Sequence, residues 1–457
     1  MRLLHALGWY FPDNTGGTEV YVQGLVQTLS QRGHDVIVVA PRSGTTAIAR
    51  YEHDNLRVVR YPIPARPSRD EAQGRTPARG AQAFREILET FRPDVVHVHS
   101  LVTGLGLHEM QAARDAGARV VYTNHLPSMG FACPRGTLMR WGTTVCDGYQ
   151  PVETCAACAL QARGMPQRMA KAVSTLASPV TRAISRLPGR WATALGMAAI
   201  VADGRNRQHS LTTLADRIVV LNDAARQIFI MHGARQRDVV VNRLGVSAQE
   251  LTRKPGPDIR PTRLPIRVGF VGRLDPIKGV RELAQAILRT PRTFPLVFEF
   301  RGPADGEGSR LFRDEIAQLL GNDRRVSFGP GVAPSEVGAL LAAIDVLACP
   351  SASFENGPTV ALEAMAVGTP VIASAFGAPC ELVRDGLNGR LIPPGHVDAL
   401  VEAFRLIAAD PHGTIDLWRR HLPPTRWMSD IASDYERLYE DVLASRFADA
   451  ATPQLVC

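Results

Sequence analysis

The sequence predicts an α/β protein built from two doubly wound domains, in which helices cover both faces of a mostly parallel sheet. Three observations support this class. The chain has 457 residues, more than a single hydrophobic core ordinarily serves. A short apolar run, a glycine loop and a helical pattern follow one another at residues 3–29 and again at residues 266–288. Elsewhere, apolar runs of strand length alternate with segments of helical period.

The domain boundaries follow from composition. Residues 252–265 carry four prolines and several charges, which predicts a linker. The first domain then spans residues 1–251 and includes a cysteine cluster with a helical insertion at residues 131–210. The second domain spans residues 264–410.

The composition is ordinary for a globular protein, with 45% apolar and 21% charged residues. No apolar run reaches the roughly 18 residues that span a bilayer, and the N-terminus lacks a convincing signal peptide, so we expect a cytoplasmic protein. The net charge is +8, and only three of the 52 basic residues are lysines. Nothing resembles a nucleic-acid-binding motif, so no nucleic-acid partner is expected.

Two carboxylates eight residues apart, Glu355 and Glu363, mark the centre of the second domain. Gly357, Pro358 and Thr359 precede an apolar, alanine-rich run, which predicts a helix that begins near Pro358. A helix N-terminus offers free N–H groups and a positive dipole end to a phosphate, and carboxylates accept hydrogen bonds from hydroxyl groups. The stretch therefore suits a phosphorylated sugar.

Four further motifs carry the pattern through the chain. Arg273 and Lys278 lie five residues apart in the loop that follows the first strand of the second domain, where both can converge on phosphates. His125 follows a predicted strand, and ligands of open parallel sheets bind beyond strand carboxyl ends. The remaining two are a glycine pair and a histidine-containing strand, at Gly16, Gly17 and residues 93–99.

Taken in chain order, over residues 1 to about 395, these motifs resemble those of the retaining glycosyltransferases of family 4. The resemblance implies the GT-B fold, with two Rossmann-like domains facing across a cleft. It also implies that a terminal segment, residues 411–446, packs back on the first domain. Within this segment an apolar stripe of helical period begins at Trp427.

The resemblance further implies a reaction and its residues. A sugar moves from a nucleoside-diphosphate sugar to an acceptor with retention at the anomeric carbon. His125 and Glu355 hold the sugar, and Glu363 holds the ribose. Gly16 and Gly17 lie against phosphate or acceptor, and the remaining contacts to the donor come from Arg273, Lys278, Gly357 and Thr359.

No Asp-x-Asp motif occurs at a matching place, and two basic side chains can neutralise a diphosphate, so no catalytic metal is expected. Pro358 and Thr359 differ from common family residues, which leaves the sugar and the nucleotide open. The acceptor is also open: a glycan, a lipid-linked glycan of polysaccharide biosynthesis, or a small molecule. The alternatives are a nucleotide-sugar epimerase, recognised by isomerised sugar without an acceptor, and a catalytically silent protein that binds the sugar nucleotide.

Cys133, Cys146, Cys155 and Cys158 lie within 26 residues and end in a Cys-x-x-Cys pair. Reduced thiols are the rule in the cytosol, and four thiolates at such spacing can enclose a tetrahedral zinc ion without an open position. We therefore predict a structural zinc site. Iron, unligated thiols and a redox pair are the alternatives.

Residues 165–187 carry apolar side chains every three or four positions, with basic residues off that stripe. The pattern predicts one helix, kinked at Pro179. It either packs on the first domain or rests at the inner face of an anionic membrane as a peripheral contact.

Overall fold

The computed structural model describes residues 1–13, 16–125, 133–176, 179–247, 261–303 and 306–450. It divides into two compact units. The first comprises Met1–Trp141, Cys146–Arg243 and Met428–Cys457, and the second comprises Gly142–Val145 and Leu244–Trp427. The second unit therefore begins before the predicted linker, most of which lies outside the described residues.

The first unit is a doubly wound sheet in the strand order β10-β9-β6-β5-β1-β2-β4-β3, and only β3 pairs antiparallel. The central strands of this sheet are buried, because hydrophobic side chains pack against both of its faces. In chain order, the strands up to β10 are β1 (Arg2–Ala6), β2 (Asp35–Ser43), β3 (Ala49–His53), β4 (Leu56–Ile63), β5 (Val95–Val98), β6 (Arg119–Thr123), the hairpin β7 (Met139–Arg140) and β8 (Thr144–Val145), β9 (Arg217–Val220) and β10 (Val239–Val241). Of these, β8 lies in the segment assigned to the second unit.

Helices cover this sheet and form the insertion after β8. In chain order they are α1 (Gly17–Gln31), α2 (Arg69–Ala72), α3 (Ala81–Phe91), α4 (Leu107–Asp115), α5 (Val152–Ala162), α6 (Gln167–Ser174), α7 (Pro179–Ile184), α8 (Arg190–Leu195), α9 (Met197–Leu214) and α10 (Asp223–Met231).

The second unit contains a parallel sheet in the order β13-β12-β11-β14-β15-β16. Its strands are β11 (Ile266–Val271), β12 (Leu296–Arg301), β13 (Val326–Gly329), β14 (Val346–Cys349), β15 (Val371–Ser374) and β16 (Gly389–Ile392). Its helices are α11 (Val280–Arg289), α12 (Glu307–Leu320), α13 (Pro334–Ala343), α14 (Thr359–Ala366), α15 (Pro379–Leu382), α16 (Val397–Ala409) and α17 (Pro411–Arg420).

The terminal segment divides between the two units. Helix α17 belongs to the second, because Ile415 and Trp418 are buried in its core. The prediction that residues 411–446 pack as a whole on the first domain is therefore wrong for α17. The final helix, α18 (Met428–Ala450), belongs to the first unit and packs on α1, where the hydroxyl of Tyr21 donates to that of Tyr435 at 3.2 Å.

The insertion differs from the single kinked helix that the sequence predicted. Helices α6 and α7 are separate, and residues 177–178 between them lie outside the described part of the chain. The apolar stripe is also divided: Met165 and Val173 pack against the core of the insertion, whereas Met169 and Val180 are exposed. Within the described residues, the helices are all too short or too polar to cross a membrane.

Candidate functional site

The predicted donor site lies where the second sheet reverses its direction of winding. Strands β11 and β14 are neighbours, although β12 and β13 follow β11 in the chain and lie on its other side. Such a switch point leaves a crevice beyond the strand carboxyl ends, where ligands of open α/β sheets bind. The loop after β11 carries Arg273 and Lys278, and the loop after β14 carries Glu355.

The structure brings Lys278 and Glu355 into direct contact. Nζ of Lys278 lies 2.8 Å from Oε1 of Glu355, and the hydroxyl of Ser351 donates to the same oxygen. The Glu355 residue is only 9% exposed, which strengthens the interaction relative to one in water. A cation and an anion are thus fixed side by side at the end of the sheet.

The two loops fit tightly together. Gly279 has φ +72°, and a Cβ there would lie 1.8 Å from the carbonyl oxygen of Pro350, so the position requires glycine. The amide of Ala352 also donates to the carbonyl of Ile277 at 2.9 Å. These contacts fix the loop that carries Lys278 against the loop that carries Glu355.

Arg273 is exposed, and the described residues contain no hydrogen-bond or ion-pair partner for its guanidinium. Its five donors therefore remain available to an incoming anion.

Burial and the Glu355 carboxylate raise the pKa of Cys349, at the end of β14, to about 12. That thiol stays protonated near neutral pH and is not a nucleophile.

The second carboxylate, Glu363, lies on α14, whose N-cap is Pro358, as the sequence predicted. Gly357 and Thr359 flank that N-cap, so the backbone N–H groups of the first turn follow directly after Glu355 and its loop. Glu363 is half-buried on the second turn. Its role toward a ribose stays a prediction.

In the first unit, Gly16 is the N-cap of α1, and Gly17 is exposed, with open space where a Cβ would stand. The backbone at Gly17 is therefore accessible to a ligand, although no local packing requires glycine there. His125 follows β6, partly exposed, with its ring centroid 5.0 Å from that of Tyr21.

His125 is the outer end of a buried chain of histidines that the sequence analysis did not identify. Its Nε2 lies 3.1 Å from Nδ1 of His99, and Nε2 of His99 lies 3.0 Å from Nδ1 of His5. His97 lies beside them, between the hydroxyls of Tyr439 and Thr123, at 2.7 Å from each. The visible signal was a pair of histidines two residues apart in a strand that is otherwise apolar.

Burial keeps these imidazoles neutral. It lowers the pKa of His5 and of His125 from 6.5 to about 3, and it lowers the pKa values of His97 and His99 well below the usual range, with neighbouring histidines adding to the effect. His5, His97 and His99 form a set of possible metal ligands within 4.8 Å of one another. Both nitrogens of His97 and of His99 already have hydrogen-bond partners, however, which argues against a metal there.

The hydrogen bonds also determine which nitrogen of each ring carries the proton. A neutral imidazole has one N–H, so His99 can donate in only one direction. Nε2 of His5 is buried and has no partner among the described residues, and a proton on it would be a costly unpaired donor. His5 therefore donates from Nδ1 to His99, which donates to His125, and the proton of His125 is on Nδ1.

The four clustered cysteines line one small cavity of about 20 Å³, which is large enough for one water molecule. The amide of Leu138 donates to Sγ of Cys133, and the amide of Trp141 donates to Sγ of Cys158, both at 3.3 Å. The sulfurs of the cluster do not meet the 4.8 Å spacing that the histidine set meets. A tetrahedral metal would therefore have to draw them closer together.

Comparison with known proteins accounts for both halves of the chain. The family model described as Glycosyltransferase Family 4 matches residues 15–172, and the one described as Glycosyl transferases group 1 matches residues 262–419. The D-inositol 3-phosphate glycosyltransferases of Mycobacterium tuberculosis and Mycobacterium bovis are 35% identical over 260 residues. That alignment covers 50% of this chain and 52% of theirs, so the chain spans about half the length of the curated relatives it matches.

Solved structures share the whole fold at low identity. Sucrose-phosphate synthase from Thermosynechococcus elongatus superposes with a TM-score of 0.63 at 18% identity, covering 97% of this chain and 100% of that one. The catalytic domain of starch synthase IV from Arabidopsis thaliana, bound to ADP and acarbose, gives 0.59 at 16%, covering 97% and 99%. Anabaena HepE in complex with UDP-glucose gives 0.56 at 16%, covering 98% and 100%. The two family models, which together match residues 15–172 and 262–419, assign the chain to glycosyltransferase family 4, and the solved structures show that its fold is GT-B.

Proposed function

We propose that this protein transfers a sugar from a nucleoside-diphosphate sugar to an acceptor hydroxyl, with retention at the anomeric carbon. The observation that carries the proposal is the 2.8 Å contact between Lys278 and Glu355 at the switch point of the second sheet. A sugar nucleotide needs a cation for its phosphates next to an acceptor of hydroxyl hydrogen bonds, and this pair supplies both.

In the proposed reaction, the acceptor oxygen attacks the anomeric carbon from the face of the leaving group. The bond from that carbon to the phosphate oxygen breaks, and the nucleoside diphosphate keeps the electron pair and takes the acceptor's proton. Lys278 and Arg273 stabilise the charge that develops on the diphosphate. One such contact at ~4 Å contributes ~4 kcal/mol at an effective dielectric of ~20, so no divalent metal is required.

Donor contacts follow the predicted roles. Glu355 accepts from the sugar hydroxyls, Glu363 from the ribose hydroxyls, and the N–H groups around Gly357 and Thr359 approach the phosphate. His125 donates from Nδ1 to a sugar oxygen. The names of similar proteins support this class of donor and reaction: they include a glycosyltransferase and a structure in complex with UDP-glucose.

Incubation of the purified protein with a panel of sugar nucleotides, followed by detection of released nucleoside diphosphate and of the anomeric configuration of the product, tests this function. Release with an α-linked product from an α-linked donor supports it. A β-linked product contradicts retention, and isomerised donor without transfer favours an epimerase.

We further propose that the cysteine cluster of Cys133, Cys146, Cys155 and Cys158 holds a structural zinc ion. The chemistry of the donor set fits, because four sulfurs line one cavity. The amides of Leu138 and Trp141 donate hydrogen bonds to two of the sulfurs, and such outer contacts orient the ligands of a metal site. A zinc ion would join the hairpin β7–β8 to α5 and would take no part in sugar transfer.

A further inference from the structure

A cavity of about 970 Å³ lies within the first unit, at the carboxyl ends of three neighbouring strands. Gly8 follows β1, residues 41–43 end β2, and residues 101–103 follow β5. The opposite wall is formed by α2 and α9. This edge of an open parallel sheet is a place where ligands bind, and the volume is that of a site for a small molecule.

The charge in this cavity is strongly positive. Among the described residues that line it, a single one carries a carboxylate, Asp13. Its Oδ2 lies 3.5 Å from Nε of Arg42 and 3.2 Å from Nη1 of Arg60. Three more arginines line it and have no carboxylate within ion-pair distance among the described residues: Arg69, Arg163 and Arg207. Cations in excess of anions, around a partly enclosed space, attract an anionic ligand.

Two of these guanidiniums are held in place by neutral partners. Arg69 donates to the carbonyl of Leu187 at 2.7 Å and to the hydroxyl of Thr193 at 3.0 Å, and Arg207 donates to the carbonyl of Gln73. The Nε–H group of each is buried and has no acceptor among the residues that the structure describes. Burial lowers the pKa of Arg207, against the attraction of Asp203, so a bound anion would relieve an existing cost.

Gln208 gives a second, independent indication. The residue lines the cavity and is 3% exposed, yet within the described part of the chain neither its amide oxygen nor its amide nitrogen has a hydrogen-bond partner. Oε1 of Gln73, which follows α2 on the same wall, is also buried and has no hydrogen-bond partner among the described residues. Unsatisfied buried amide groups destabilise the folded protein, and a ligand with hydroxyl groups would satisfy both donor and acceptor.

We propose that this cavity binds the sugar acceptor, and that the acceptor carries a phosphate ester next to free hydroxyl groups. Arg69 and Arg207 bind the phosphate, and Gln208 binds a hydroxyl. The word acceptor rests on the proposed sugar transfer, whereas phosphate-ester binding does not. Arg207 and Gln208 lie on α9, outside residues 15–172 and 262–419, so their role does not follow from the family matches.

A phosphate ester could come from a soluble sugar phosphate or from a lipid phosphate, since apolar side chains such as Val102, Met197 and Ile200 line the cavity as well. Calorimetric titration of the full-length protein separates the two. The probes are glucose 6-phosphate against glucose, and farnesyl phosphate against farnesol. At least one phosphate should bind about tenfold or more tightly than its neutral counterpart.

The matched variants are Arg207→Gln and Arg205→Gln. Arg205 is exposed on the same helix and does not line the cavity. Arg207→Gln should weaken binding of the phosphate probe about tenfold, and Arg205→Gln should leave it within about twofold. Arg69→Gln serves if Arg207→Gln lowers the melting temperature, because Arg69 projects from a different helix.

Equal binding of the phosphate and neutral probes, or equal effects of the Arg207 and Arg205 substitutions, would overturn the inference. Sugar transfer to a neutral acceptor, without phosphate binding, would overturn it while the proposed function stands. Phosphate-ester binding in a protein that transfers no sugar from any donor would support the site and contradict the function.

Discussion

Nζ of Lys278 lies 2.8 Å from Oε1 of Glu355, although 77 positions separate them in the chain. The contact forms because β11 and β14 are neighbours at the switch point of their sheet, so the two loops that follow them meet. With Lys278 about one-third exposed, the ion pair contributes ~1 kcal/mol or less to stability. Its position therefore points to a ligand rather than to the stability of the fold.

The histidine chain predicts a loss of stability in acid. His5 has a folded-state pKa of about 3 and an unfolded value near 6.5, so below about pH 6.5 the unfolded state binds a proton that the folded state does not. The free energy of unfolding should fall by ~1.4 kcal/mol per pH unit for each such histidine. Above about pH 6.5, His5 should make no contribution to the pH dependence of the free energy of unfolding.

Denaturant titrations between about pH 7 and about pH 5 measure this slope. His5→Gln should reduce this slope by the contribution of about one proton, ~1.4 kcal/mol per pH unit. A slope that is identical in wild type and His5→Gln would contradict the assignment of His5 as a buried neutral base.

The same chain predicts the tautomer of His125. Nitrogen-15 NMR of imidazole-labelled protein should find the proton on Nδ1 of His125 and a bare Nε2 that accepts from His99. His99→Leu removes that donor and should release the constraint. A proton on Nε2 of His125 in the wild-type protein would show that the chain donates in the opposite direction.

The zinc proposal predicts about one bound metal ion per chain in protein purified under reducing conditions, as measured by elemental analysis. Cys155→Ser should lose the metal and lower the melting temperature. Cys380→Ser, which changes an exposed cysteine in the other unit, should do neither. Protein that is metal-free as purified, with the melting temperature of Cys155→Ser unchanged, would end the proposal.

Charge stabilisation by Arg273 and Lys278 predicts sugar transfer without added divalent cations. After desalting, turnover in metal-free buffer should match turnover with millimolar magnesium, because the guanidinium and ammonium groups already neutralise the diphosphate. A rise of about tenfold or more on adding magnesium would show that a cation takes part at that step.

Local sequence patterns were sufficient to predict the fold. Apolar runs in both halves became central strands, and Gly-Pro-Thr predicted the start of α14 at Pro358. The prediction failed for α17, because its place depends on packing between distant segments. Ile415 and Trp418 of α17 are buried in the second core, whereas α18 belongs to the first unit.

The sequence predicted which residues form the candidate site, but it predicted fewer of the contacts that these residues make. Motif spacing placed Lys278 and Glu355 on separate loops, and their direct contact and the third member, Ser351, depend on strand order. The His5–His99–His125 chain combines a residue of β1 with residues that follow β5 and β6, so a local sequence pattern could show only His97 and His99. The arginines of the large cavity likewise come from distant segments and have no common motif.

The most direct test of sugar transfer at this site is the turnover of Lys278→Ala and Glu355→Ala, each compared with wild type and with Arg289→Ala, whose exposed side chain pairs with Asp398 away from these loops. We predict that both site variants lose about a hundredfold or more in kcat/KM, while their melting temperatures stay close to that of the wild type. Wild-type turnover in both folded site variants would contradict the account.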